Sequence, residues 1–140
     1  RQMHCIGFFN KFRLINQLKT KTMQRHNFKE LRIWQLGMDI VDDIYNITKT
    51  FPKEEQFGLT LQMRKSSSSI PTNIAEGCGR GTDPQLVFFL DISQGSAYEL
   101  ETQCLISIRQ GFCHPDIMNP ILLKIEEEQR MIDGFRSRFV

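Results

Sequence analysis

The sequence predicts an all-α protein folded as an antiparallel up-and-down four-helix bundle, on three observations. Apolar residues recur every three or four positions in four separate stretches, the period of an amphipathic helix. Short connections carrying Pro or Gly divide those stretches, and short connections set neighbouring helices antiparallel. Nowhere does the strict two-residue alternation of a half-buried strand occur. At 140 residues the chain is long enough to bury a sizeable core as one domain, and its 40% hydrophobic and 24% charged composition excludes a wholly disordered chain.

Residues 1–22 are set apart as a basic N-terminal arm, leaving residues 23–140 as the bundle domain. The arm holds Arg1, Lys11, Arg13, Lys19 and Lys21 and no acid. It reads either as a flexible or amphipathic basic segment or as residues upstream of a natural start at Met23.

The first helix is expected from Phe28, with Asn27 and Glu30 as an N-terminal capping pair and Phe51-Pro52 as its stop. Its buried row is expected to be Leu31, Trp34, Met38, Val41, Ile44, Tyr45 and Thr48, widened by Ile40 and Ile47. Asp39, Asp42 and Asp43 fall on the other side. No His or Glu joins them at ligand spacing, so a solvated face explains them better than a metal site.

The second helix is expected after Pro52, with Lys53, Glu54 and Glu55 in its first turn and Phe57, Leu61, Arg64, Ser68, Pro71, Ala75 and Cys78 in one row, with Ile70 and Ile74 beside it. Ser66 to Ser69 and Pro71 obstruct it. Local rules end the helix near Ser66 and restart it at Pro71 or Thr72, because an interior Pro costs about 3 kcal/mol. The apolar period nevertheless continues through the obstruction, which favours one helix kinked near Pro71.

Thr82 or Asp83, with Pro84, opens the third helix. Leu86, Phe89, Leu90, Ser93, Ser96, Ala97, Leu100, Cys104 and Ile108 form its row, narrowing to small residues at Ser93, Ser96 and Ala97 where another helix could come close. The fourth runs from about Pro115 to Phe135 or beyond, on Met118, Ile121, Leu122, Ile125, Gln129, Ile132 and Phe135. Glu126 to Glu128 are followed by Arg130, Arg136 and Arg138, a charge order that suits the helix ends and pairs at i to i+4.

Little here predicts catalysis, and no cofactor or metal is expected. His4, His26 and His114 are scattered, and Cys5, Cys78, Cys104 and Cys113 contain no Cys-x-x-Cys pair. Reduced thiols acting as small hydrophobes in a cytoplasmic protein fit that pattern. No apolar run approaches the roughly 20 residues of a membrane span. Glu76-Gly-Cys-Gly-Arg80-Gly before a helix could cradle phosphate, but it lacks the full glycine spacing, the Gly-Lys-Ser/Thr ending and a preceding strand. A helix C-cap and turn account for its glycines. Asn73, Glu76, Glu99 and Glu101 lie near packed positions and are candidates for a buried polar network or an interface, against a plain solvated face.

Three segments resemble a known family: Leu31-Arg-Ile-Trp34, Ser69-Ile-Pro-Thr-Asn-Ile-Ala-Glu-Gly77 and Gly95-Ser-Ala-Tyr-Glu-Leu-Glu-Thr102. They are similar to the four-helix bundle proteins encoded within 23S rRNA intervening sequences, a family related to the accessory variability determinant of diversity-generating retroelements. The resemblance spans about Met23 to Phe139. It implies a non-enzymatic up-and-down bundle assembled as a homopentameric ring, with RNA or a reverse transcriptase as possible partners, and a second helix continuous into Pro71.

The expected function is therefore a non-catalytic, oligomeric, RNA-associated or nucleoprotein accessory factor; the alternative is a protein-binding scaffold ring without nucleic-acid contact. Arg64, Lys65, Arg80, Lys124, Arg130, Arg136 and Arg138 are the candidate nucleic-acid-binding residues. The net charge of +2 conceals an opposing term, because outside residues 1–22 there are 13 basic and 16 acidic residues. Any phosphate-binding site on the bundle must be a local patch.

Overall fold

The computed structural model describes residues 26–140; the arm at residues 1–22 and the start at Met23 lie outside the described residues. Four helices follow one another: α1 (Arg32–Thr48), α2 (Leu59–Cys78), α3 (Asp83–Arg109) and α4 (Pro115–Arg136). Short 3-10 turns at Phe28–Glu30, Lys53–Glu55 and Ser137–Phe139 complete the described elements. Each helix packs on its sequence neighbours, and α4 returns to α1 to close a four-membered bundle in which the backbones of diagonal helices stay apart. Among the described residues there is no strand, and no helix is long and apolar enough to cross a membrane.

Local chemistry sets the helix ends. Asn27 caps the first 3-10 turn by accepting from Lys29 N at 3.3 Å, so α1 begins later than Phe28, at Arg32. Lys53 to Glu55 form a separate turn ahead of α2, and the Glu55 carboxylate accepts the Leu59 amide at 2.9 Å, filling one of the orphan donors of the first turn of α2. Thr82 caps α3 and His114 caps α4, each followed by a proline in the first turn. Gly111 has φ +74°, and Phe112 N donates back to Ser107 O at 2.9 Å, a left-handed closure of α3 that glycine adopts without strain.

The core confirms the third and fourth rows and corrects the first two. On α1 the buried face is Ile33, Gly37, Ile40, Ile44, Ile47 and Thr48, whereas Met38 and Tyr45 are exposed. On α2 it is Leu59, Met63, Ile70, Pro71, Ile74 and Cys78, joined by Thr60, Ser66, Ser67 and Gly77; Phe57 is 83% exposed and Leu61 is exposed too. The face rotates because side-chain size does not decide burial. Glycine and serine positions take the inner seats where helices come closest, displacing large residues outward.

Helix α2 runs through Ser66 to Pro71 without a break. Its serines remain helical by donating to carbonyls one turn back: Ser66 to Met63 O at 3.3 Å, Ser67 to Arg64 O at 3.0 Å and Ser68 to Lys65 O at 3.1 Å. Pro71 is buried against α1 at Gly37, where it supplies apolar surface in return for the helical donor it lacks.

Gly77 and Gly134 make opposite predictions. A Cβ at Gly77 would stand 3.0 Å from Phe89 Cβ and 3.3 Å from the Leu86 carbonyl oxygen, atoms that cannot swing away. Gly77→Ala is therefore expected to lower stability by about 1–3 kcal/mol, an overpacking cost that exceeds the helix-propensity gain. Gly134 on α4 has open space around it, so Gly134→Ala is expected to raise stability by up to about 1 kcal/mol. Urea midpoints at unchanged m-value check both.

Candidate functional site

The α2–α3 seam gathers most of the polar side chains inside the bundle. Ser66 Oγ donates to Gln103 Oε1 at 2.6 Å, and the Gln103 amide reaches Glu99 at 3.4 Å. Ser69 and Ser96 share a hydrogen bond at 2.8 Å, and Asn73 Nδ2 donates to Ser69 Oγ and O at 2.9 and 2.8 Å. Ser93 Oγ donates to Ile70 O at 2.9 Å, across the helix pair. On the other side of α3, Gln129 Nε2 donates to Glu101 at 2.9 Å, while Gln94 donates to Gln129 O at 2.9 Å. Of the four residues expected in a network, Glu101 bonds to another helix, whereas Asn73 and Glu99 bond on their own helices to Ser69 and Gln103, which in turn reach across the seam. Glu76 pairs with Arg80 on its own helix.

The seven basic candidates do not converge. Arg64 donates to Thr48 Oγ1 at 3.0 Å with its guanidinium 4.7 Å from the Tyr45 ring centre. Arg80 holds Glu76 at 2.9 Å and covers Phe89. Lys124 Nζ meets Asp43 at 2.7 Å, so Asp43 is not simply a solvated acid; that hydrogen bond raises the lysine pKa. Arg136 clasps Asp91 with two nitrogens, and Arg138 lies over Phe135 and Phe139. Lys65 and Arg130 are exposed and make no ion pair among the described residues.

A cleft of about 540 Å³ opens between the end of α1 and the start of α4. Ile47, Phe112, Cys113 and Ile121 form its apolar floor, and Asp43, Asn46, His114 and Lys124 stand at its rim. Its size suits a small ligand. No linear signature marks it, since its walls come from two segments far apart in the chain, residues 43–50 and 112–124. The described cysteines are unsuited to nucleophilic work: burial pushes the Cys78 thiol up to about 11 and Cys104 to about 12, and raises Cys113 as well. Among the described residues, no three His, Cys, Asp or Glu side chains are placed to hold a metal.

Sequence reasoning also missed Glu128. Read only as part of a run of charge, it is fully buried on the inner row of α4. The period of α4 carries the only signal, since residue 128 falls between Ile125 and Ile132 at three and four positions.

The seam predicts a measurable coupling. Gln103→Leu leaves the buried Ser66 hydroxyl without its cross-helix acceptor and is expected to cost about 1–3 kcal/mol. Adding Ser66→Ala should cost less than the sum of the two single changes, which a double-mutant cycle on urea unfolding checks.

Comparison with known proteins follows the same geometry. No curated protein sequence matches the chain at a significant level. A crystal structure of a protein of unknown function from the S23 ribosomal protein family of Bacteroides thetaiotaomicron VPI-5482 superposes with a TM-score of 0.70. At 19% identity it covers 74% of this chain and 97% of its own, a likeness of fold. The family described as 23S rRNA-intervening sequence protein matches residues 29–134, from the turn before α1 almost to the end of α4. Because that match takes in all four helices and the seam between α2 and α3, the chain belongs to the 23S rRNA-intervening sequence protein family.

Proposed function

We propose that this chain is a non-catalytic accessory module of a bacterial, cytoplasmic nucleoprotein, and that it works by self-association and protein docking through the outward face of α3. One observation carries this. Phe88, Ile92, Gly95, Glu99, Thr102 and Ile106 follow one another at alternating four- and three-residue spacing on the exposed side of α3, with Tyr98 and Leu105 beside them. Phe88 is 59% and Tyr98 52% exposed. Scattered apolar residues are normal on a surface, but five large ones on one face of one helix are what a second helix packs against. Gly95 and Thr102 leave room for close approach. A closed ring of copies, a homopentamer by family resemblance, would cover this row by symmetry.

The engagement of Arg64, Arg80, Lys124, Arg136 and Arg138 with acids, a hydroxyl or rings of the protomer favours protein contact over bulk attraction to nucleic acid. RNA association is the second reading, supported by the exposed Lys65 and Arg130. A ring would repeat each, so the field of an assembly can exceed that of its weakly charged protomer. A reverse transcriptase would then be one protein partner of the same apolar face.

Light scattering after size exclusion is expected to give the wild-type chain a multiple of the protomer mass, and the Ile92→Glu, Ile106→Glu double variant the protomer mass with a melting temperature within a few degrees of wild type. A protomeric wild type at micromolar concentration overturns self-association. With generic RNA at low salt, Lys65→Gln with Arg130→Gln is expected to weaken binding and flatten its salt dependence. No binding by the wild type leaves protein docking alone.

A further inference from the structure

Glu128 occupies a place that suits an ionised carboxyl badly. It is 0% exposed, and neither carboxyl oxygen has a hydrogen-bond partner among the described residues. Its Oε1 faces α1 at Gly37, where a Cβ would stand 3.3 Å away; the same position is 3.5 Å from Ile70 Cγ2 and Pro71 Cβ of α2. The carboxyl therefore sits in a notch left by the missing side chain of residue 37, where three helices meet.

The charged groups around it are engaged elsewhere. On its own helix, Glu127 faces Arg32 of α1 at 3.9 Å, and Lys124 holds Asp43 of α1 at 2.7 Å. At the notch α2 presents Ile70 and Pro71, neither titratable. From α3, Glu101 receives Gln129 Nε2 at 2.9 Å. Burial accordingly raises the Glu128 pKa to about 8, and the charge of Glu127 adds to the effect. A neutral carboxyl also has a proton to donate, and on α2 Pro71 leaves the Ser67 carbonyl without its helical donor.

The helices are not fastened alike. Buried or half-buried hydrogen bonds tie α2 to α3 and α3 to α4. Among the described residues, the polar ties of α1 to the other helices are the ion pairs of Asp43 and Arg32 and the bond from Arg64 to Thr48, at half-buried or exposed positions.

We propose that Glu128 is a proton-operated latch on α1: while its carboxyl is neutral it fills the Gly37 notch and α1 stays docked, and when it ionises α1 loosens there to admit water. Between about 4.5, the ordinary value, and about 8 the closed bundle holds a proton that an opened or unfolded chain has released. Closure therefore weakens as pH rises through that window and levels off above it.

Hydrogen exchange on the full chain tests this. After correction for intrinsic rates, protection of α1 amides is expected to fall by up to tenfold per pH unit between pH 6 and 8 and then level, while α3 stays better protected than α1 at every pH. The isosteric Glu128→Gln should remove the trend, and Glu128→Leu should do the same if the glutamine variant folds poorly. The carbon resonance of the Glu128 carboxyl should titrate near pH 8. A midpoint below 5 overturns the latch, as does a trend that survives Glu128→Gln. Protection of α1 equal to that of α3 at every pH also overturns it, since α1 would then open only together with the whole fold.

Discussion

The close approach of α2 to α3 is the constraint on which the bundle depends. Small residues line both sides of the contact, Ser66, Ser69 and Gly77 on α2 and Ser93, Ser96 and Ala97 on α3, so the backbones come near enough for Ser93 to reach the Ile70 carbonyl. Proximity of that kind creates an obligation. Buried hydroxyls and amides must find partners, and the Ser66–Gln103 and Ser69–Ser96 bonds discharge it across the seam. A helix with four serines and a proline has little propensity of its own; packing and this satisfied seam supply what the local sequence withholds.

Once the small residues are inside, larger ones must go elsewhere. Phe57 and Leu61 turn outward on α2, and the outer face of α3 keeps Phe88, Ile92, Tyr98, Leu105 and Ile106. The basic side chains meanwhile settle on local acids and rings: Arg136 on Asp91, Lys124 on Asp43, Arg80 on Glu76 and Phe89. Exposed pairs of this kind add little to stability, so their effect is less on the fold than on what the surface offers a partner. Apolar contact is left as its most concentrated resource.

The third and fourth helices were the most legible. Their rows follow one face from end to end, and Thr82, Pro84, Gly111 and Pro115 mark their limits by known turn chemistry. The first two were misjudged by rotation. Trp34, Met38 and Tyr45 outweigh Gly37 on any scale of hydrophobicity, yet Gly37 is the residue against which Pro71 and Glu128 pack. Glu128 was hidden for a related reason: two acidic neighbours make it resemble a solvated charge, and only its place between Ile125 and Ile132 indicates burial. The cleft between α1 and α4 had no linear signature.

By itself the sequence determined the helical class, the number of helices, their order and most of their ends, because period, capping residues and prolines act within a few residues of themselves. Its three short motifs determined the family. Tertiary structure alone decided which face of α1 and α2 is buried, which basic residues are already paired and where, among the described residues, a carboxyl is trapped without a hydrogen-bond partner. Those outcomes depend on how near one backbone comes to another, and that distance is set jointly by small residues on separate helices.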